Sequence, residues 1–459
     1  MKFVILNGSP RDEKSVTFHY FKYIELNFPE HEYKVHQVGR KIKKIENNEE
    51  YFESIISDIE SADGIFWLYP VYTLCIPAQM KRFIELVFER GKEEVFSDKY
   101  ATSISTSGHY FDHHAHDYIH AISEDLGINY VRGYSAEIID LLEKKERKRL
   151  QLFARHFFRN CENKISIEKI YEPIMHSYPT FKPSGITENE KTHDYSIIII
   201  TDATEKDTSL LNIIDTFVKL MPNPVTIINL HDCDIKGGCL GCLKCSAEGV
   251  CFYKDEHNAL FHEKLVKADM LVYAPVIKDR HYSAKFKTFI DRCFFNGHKP
   301  VFVNQQQAYF ISGPIRKLHT LRENLNTMPE AGRANLVGII TDEYNDSVEI
   351  ISLIESLIDN ILWSLENEKF TKPKSFLGVG GHKVFRDLIY TYQVVFPSDY
   401  KYYKKEGLLD FPKPFMGNMK MLIKPLMMTS KSREKFYEKA GDLQIRLFKK
   451  EIKKEDFDK

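Results

Sequence analysis

Four cysteines crowd one short segment. Cys239, Cys242, Cys245 and Cys251 follow the spacing C-x2-C-x2-C-x5-C. Thiolates are soft ligands that suit zinc and iron–sulfur clusters. Structural zinc usually joins two separated pairs across a longer loop. A compact run with two-residue gaps instead lets successive sulfurs reach neighbouring corners of one cluster. Gly237, Gly238, Gly241 and Gly249 loosen the backbone for wrapping. Iron–sulfur ligation leads this reading, with zinc and free thiols as its alternatives. Cys75, Cys161, Cys233 and Cys293 are scattered, and most read as small buried apolar residues, with Cys233 near enough to the loop to support it.

A second chemistry lies at the opposite end of the first half. The apolar run Phe3 to Leu6 ends in Asn7-Gly8-Ser9-Pro10-Arg11, and a helix start is expected near Ser15-Val16-Thr17. Free backbone N–H groups, the positive helix end and the Arg11 fork make such a turn an anion site. The plainer reading is an N-cap at Ser15 or Thr17. Tyr69 to Thr73 and Ser105 to Tyr110 add backbone groups, small hydroxyls and rings at the same strand ends. A planar heteroaromatic ring needs a slot of that kind. The histidines at 109, 113, 114, 116 and 120 form a polar helix face, or a metal face through the i, i+4 pairs His109/His113 and His116/His120.

The elements that position these groups repeat. Short apolar strands are expected near Phe3, Tyr33, Gly64 and Ala101, and again near Ile197, Val225, Met270 and Ala308, each followed by a helix-like pattern. Lys81/Lys287, Phe83/Phe289, Ile84/Ile290, Glu85/Asp291 and Gly91/Gly297 all stand 206 residues apart. A constant offset over separated blocks points to duplication. Continuous apolar strands alternating with helices mean a parallel sheet covered on both faces. The expected fold is α/β, with two doubly wound parallel-sheet domains in tandem. Their boundaries are placed at 1–170, a linker at 171–193, and 194–365. A basic, mostly helical extension at 366–459 carries a net charge of +8, against −9 for the first 365 residues.

The whole chain of 459 residues has a formal charge of −1, which excludes a chain-wide basic footprint for nucleic acid. Hydrophobic residues at 43% suffice for packed cores. Neither a secretory signal nor a transmembrane span is expected, so the anticipated setting is the reducing cytoplasm. Phe376 to Tyr390 is read as a glycine turn before a helix. The methionine-rich stretch 415–428 is read as a covering element.

NGSPR, the following S-V-T, WLYPVYTLCIPAQMKRFIE and ISTSG together resemble the flavodoxin-like NADPH-dependent FMN reductases over roughly residues 1 to 150. The resemblance implies noncovalent FMN. It implies a phosphate set of Ser9, Arg11, Ser15, Val16 and Thr17. It implies a flavin-ring set of Pro70, Val71, Tyr72, Thr73, Ser105, Thr106, Gly108 and His109. The segment from Cys239 to FKTFIDR is similar to the iron–sulfur flavoprotein branch of the same family, which holds a [4Fe–4S] cluster on such a loop. In the second half, Thr201-Asp202-Ala203-Thr204-Glu205 replaces NGSPR, so FMN is not expected there.

The function these readings imply is an NAD(P)H-dependent flavoprotein oxidoreductase. It would pass electrons through FMN to or from a [4Fe–4S] cluster, with a small molecule or a protein as redox acceptor. An FMN-dependent quinone or flavin reductase without a cluster is one alternative. A non-enzymatic redox carrier or sensor is the other. The two halves are expected to pack as an internal pseudo-dimer, bringing the cysteine loop to Tyr72 and His109; further homo-oligomerisation stays open.

Overall fold

The computed structural model describes residues 1–108, 110–174, 180–344, 346–412, 425 and 428–438. Residues 1–406 form one compact unit, in which both sheets lie, and 407–459 form another.

The first domain runs β1 (Lys2–Asn7), α1 (Val16–Asn27), β2 (Glu32–His36), α2 (Val38–Asn47), α3 (Glu49–Glu60), β3 (Gly64–Pro70), α4 (Ala78–Glu89), β4 (Tyr100–Ser107), α5 (Asp112–Asp125), β5 (Asn129–Tyr130), β6 (Tyr134–Glu137) and α6 (Lys144–Glu162). Its strands are parallel in the order β2-β1-β3-β4-β5, with β6 also on β4. That is the flavodoxin-like order, whose ligand crevice lies where β1 and β3 diverge at their carboxyl ends. The strand period explains the two-sided burial. Val4 and Leu6 enter one core while Phe3 and Ile5 enter the other.

The second domain repeats the scheme. It runs β7 (Ile197–Thr201), α7 (Thr208–Leu220), β8 (Val225–Asn229), α8 (Cys245–Glu248), α9 (His257–Ala259), β9 (Met270–Ala274), the ribbon β10 (Ile277–Lys278) and β11 (His281–Tyr282), α10 (Ala284–Arg292), β12 (Gln306–Ile311), α11 (His319–Ala331), β13 (Asn335–Thr341) and α12 (Ser347–Glu366). The parallel order is β13-β12-β9-β7-β8, the same topology. Ile197 and Ile199 face one core, Ile198 and Ile200 the other.

The two domains meet through α4 and α10, and the contact is reciprocal. The Ala78 N–H donates to Asp291 Oδ2 at 2.8 Å, and the Ala284 N–H donates to Glu85 Oε1 at 2.6 Å. Each acceptor is 206 residues from the other, and so is each donor. Each carboxylate also pairs with a buried lysine on its own helix, Lys81 with Glu85 at 3.0 Å and Lys287 with Asp291. Reciprocity of this kind is the geometry of an isologous interface, here made inside one chain. The lysines are doubly committed: Lys287 Nζ donates to the Tyr72 carbonyl at 2.8 Å, and Lys81 Nζ reaches Asp279 at 3.3 Å.

Two helices complete the larger unit, α13 (Phe376–Thr391) and α14 (Pro397–Lys405). The expected glycine turn before a helix is corrected here. Ser375 caps α13, and Gly378, Gly380 and Gly381 lie inside it. A Cβ on Gly381 would overlap the Tyr110 hydroxyl, which donates to the Leu377 carbonyl at 2.7 Å. Close packing of α13 on the first domain accounts for that glycine. Residues 430–438 are helical, and most of 415–428 lies outside the described residues.

Candidate functional site

The turn after β1 is built by Asn7. Its Oδ1 accepts from the Ser9 N–H at 3.1 Å, and its Nδ2 donates to Gln37 Oε1 at 2.6 Å. Ser9 is buried, and its Oγ accepts from the Arg11 N–H at 3.3 Å. The Arg11 side chain is exposed and makes no ion pair among the described residues. Ser15 caps α1, its Oγ accepting from the Phe18 N–H at 3.2 Å. The cap uses an oxygen lone pair and leaves the hydroxyl hydrogen for an anion. Val16 opens the helix, exposed at its positive end. Thr17 ties this turn to the β4 loop through Thr106, Oγ1 to Oγ1, at 2.5 Å.

The β3 and β4 loops stand beside it. Pro70 ends β3, and the Val71 N–H donates to the Thr106 carbonyl at 3.1 Å. Thr73 and Leu74 adopt left-handed backbone, with φ of 44° and 64°. A β-branched residue there stores strain of the kind found at ligand clamps. Ser105 turns its hydroxyl to His116 Nε2 at 2.8 Å, while Ser103 meets Nδ1 at 2.8 Å. Burial lowers His116 to about 4, against a rise from Asp112. Gly108 is exposed, and His109 lies outside the described residues.

The sequence places His116 on a polar helix face, with a metal face as the alternative. The structure uses it to hold Ser105. His120 lies 2.9 Å from Glu124 and stacks on Tyr130, so the two histidines of the alternative metal pair turn to different partners. Among the described residues, the group of potential ligands converging within 4.8 Å is His113, His114 and Glu323. The four loop cysteines are therefore not gathered at mononuclear-zinc spacing, where Zn–S bonds of about 2.3 Å bring sulfurs within roughly 4 Å.

The cysteine loop, between β8 and α9, roofs this mouth. Gly241 adopts a φ of +59°, and a Cβ there would overlap the Tyr72 hydroxyl and lie 3.6 Å from Arg11 Cδ. Gln79 Nε2 donates to the Cys239 carbonyl at 3.0 Å, and Lys43 Nζ to the Lys236 carbonyl at 2.9 Å. Tyr72 is buried, and burial, then the Cys239 thiol, pushes its phenol upward while Arg11 opposes. Two sulfurs receive donors. The Gly241 N–H points at Cys239 Sγ at 3.4 Å, and Arg292 Nε at Cys251 Sγ at 3.2 Å. Burial, with neighbouring cysteines adding, raises the Cys239 thiol to about 12 and Cys245 to about 11. Such thiols stay protonated unless a cation compensates.

Arg292 and Asp255 had no assigned role in the sequence. Arg292 is buried, grips Asp255 through two bonds of 2.9 and 2.8 Å, and donates to the Gly237 carbonyl at 3.1 Å. The legible signal was their position: Asp255 follows the last loop cysteine in CFYKDE, and Arg292 ends FKTFIDR.

The second sheet has the same turn with different contents. Thr201 Oγ1 accepts from the Ala203 N–H at 3.1 Å, as Asn7 does for Ser9. Asp202 stands where the first domain has Gly8. Its buried carboxylate accepts from the Val276 N–H at 2.8 Å and from the Ser283 hydroxyl, and burial raises it.

Residues 1–139 match the family model described as NADPH-dependent FMN reductase. Through this domain the chain is similar to that family. The reductase domain makes the protein an NAD(P)H-dependent FMN oxidoreductase. A relative called iron-sulfur flavoprotein, from Archaeoglobus fulgidus, is 26% identical over 179 residues, covering 37% of this chain and 79% of its own. An FMN-dependent NADH-azoreductase from Bacillus anthracis, solved with FMN, is 16% identical at a TM-score of 0.27, covering 36% of this chain and 98% of its own. A flavoenzyme NAD(P)H:(acceptor) oxidoreductase from Paracoccus denitrificans is 17% identical at a TM-score of 0.30, covering 35% of this chain and 97% of its own. Among the described residues, no helix is long and apolar enough to cross a membrane.

Proposed function

We propose that the reductase domain holds one FMN and that the cysteine loop above it holds a [4Fe–4S] cluster, so that one chain joins two-electron and one-electron chemistry. The contact of Gly241 with Tyr72 and Arg11 carries this reading, because it sets the cysteine loop against the flavin mouth. The donor set suits each group. Arg11 offers a guanidinium with no carboxylate partner among the described residues, beside the hydroxyls of Ser9, Ser15 and Thr17. Pro70, Val71, Tyr72, Thr73, Ser105, Thr106 and Gly108 would frame the ring. Cys239, Cys242, Cys245 and Cys251 supply four sulfurs from one loop, two of them already receiving N–H donors.

FMN, when bound, supplies exchange between hydride transfer and single-electron transfer. The chain's residues do the placing. Arg11 and the α1 terminus neutralise the phosphate. Tyr72 and the cysteine loop exclude water from above. Arg292 holds positive charge beside Cys251. The reciprocal α4–α10 contact keeps the two sites in register, and we read it as the product of a tandem duplication whose copies specialised.

The rival reading, a reductase with idle cysteines, draws on the raised Cys239 and Cys245 thiols. Anaerobic purification decides between them. We expect a flavin spectrum, FMN titrating to one per chain, and about four irons with matching acid-labile sulfide. Cys242→Ser should lose most of the iron and keep FMN. Iron content unchanged in that variant, or FMN near two per chain, would contradict the proposal. A colourless, iron-free protein that takes up no FMN would remove both enzyme readings and leave the non-enzymatic carrier or sensor.

A further inference from the structure

A cavity of about 810 Å³ opens at the carboxyl ends of β7 and β9. It occupies the switch point of the second sheet, the same place that the flavin mouth has in the first. Its size is that of a small-molecule site. The first domain closes it with α2 and α4, and Gly238 and Leu240 of the cysteine loop form a third wall.

The lining is basic where charge is free. Arg40 and Lys43 enter from α2, and Lys206 and Lys285 from the second domain. Arg40, Lys206 and Lys285 make no ion pair among the described residues, and Lys43 donates to a carbonyl. The carboxylates on the same walls are occupied. Arg82 engages Glu46, Glu85 and Glu89, at 2.8, 3.1 and 2.9 Å. Asp202 and Asp207 accept from neighbouring backbone and hydroxyl donors. Four cations face one cavity from two domains, three of them with no ion pair among the described residues and Lys43 with only a carbonyl, and together they call for an anion of more than one charge. Ile42, Leu240 and Val276 provide an apolar wall on which a planar base can lie.

We propose that this cavity binds a nucleoside diphosphate group, its phosphates between the α2 cations and Lys206 and Lys285, its base against Leu240 and Ile42. The site lacks an unpartnered arginine in its turn and carries Asp202 there, so it selects by its roof where the first mouth selects by its phosphate turn. The inference rests on the cavity and its charges, and holds whether or not the cysteines carry a cluster.

Calorimetric titration of ADP into FMN-saturated full-length protein at low ionic strength tests it. One ADP per chain is expected. The double variant Arg40→Ala/Lys285→Ala should weaken ADP at least tenfold, leaving FMN stoichiometry and thermal unfolding as in the parent. Adenosine should bind far more weakly than ADP. NADP⁺ added to the ADP complex separates two sources of the group: competition marks a seat for the diphosphate half of a dinucleotide, and simultaneous binding marks a separate nucleotide ligand. Absence of ADP binding to the FMN-saturated protein overturns the proposal. So does an affinity the double variant leaves unchanged, or ADP binding that FMN abolishes, which would place the anion in the first mouth.

Discussion

The two sheet mouths of this chain share a topology and a turn, and differ in what fills the turn and what covers it. In the first, Gly8 packs on Met80, Arg11 brings an exposed positive charge to the turn, and the roof is a loop of four cysteines. In the second, Asp202 puts a buried carboxylate in the turn, and the roof is the basic helix α2. In both cases the roof is the segment that follows the second strand of the opposite domain. A reciprocal interface makes each domain cover the other's sheet mouth, so substitutions in one domain should alter the chemistry of the other. The fold supplies position, and the loops supply function.

The interface that imposes this arrangement should give the largest effect. Lys287→Met leaves the buried Asp291 unpaired and should cost about 3–5 kcal/mol in denaturant unfolding. Lys81→Met should cost less, because Glu85 keeps Arg82 at 3.1 Å. Equal losses would break the asymmetry drawn between the two domains.

Acid should loosen the first mouth. His116 is lowered in the fold to about 4, so its stabilising neutral form is present above the ordinary histidine value near 6.5 and is lost as pH falls toward 4. The full shift corresponds to about 3 kcal/mol. Stability measured from pH 7 to pH 4 should fall less steeply in His116→Asn, and FMN should dissociate over the same window in the parent. A parallel pH profile for the two proteins would remove His116 from the account.

Arg11→Ala should weaken FMN by about 1.5–3 kcal/mol, as for a charged hydrogen bond, without shifting the unfolding midpoint. Unchanged FMN affinity would move the phosphate elsewhere. The smallest effect concerns Ser15. Ser15→Ala should cost about 1 kcal/mol of stability through the lost cap. A further loss of FMN affinity would show that the same hydroxyl also donates to the phosphate.

Much of this was legible before the structure. The period-two strands at Phe3–Leu6 and Ile197–Ile200 announce sheets buried on both faces, because each face needs its own apolar set. The NGSPR turn, the helix start at Ser15 and the cysteine spacing are local patterns, and local backbone geometry follows from local residue types. The constant offset of 206 marked Lys81, Glu85, Lys287 and Asp291. Their partnership was not legible. A hydrogen bond from Ala78 to Asp291 depends on how two finished domains dock, and no periodicity in the chain encodes that. The same holds for Arg292 under Cys251 and for Tyr110 against Gly381, where the glycines looked like a turn and proved to be a helix face shaved for contact. His116 was read by its helical spacing toward His120. Burial against Ser103 and Ser105 decided its role, because desolvation and hydrogen-bond partners come only with the packed sheet. The sequence by itself determined two α/β units, an anion turn and a sulfur loop; only the tertiary structure set the loop over the turn, because that contact is made between surfaces that exist after each unit has folded.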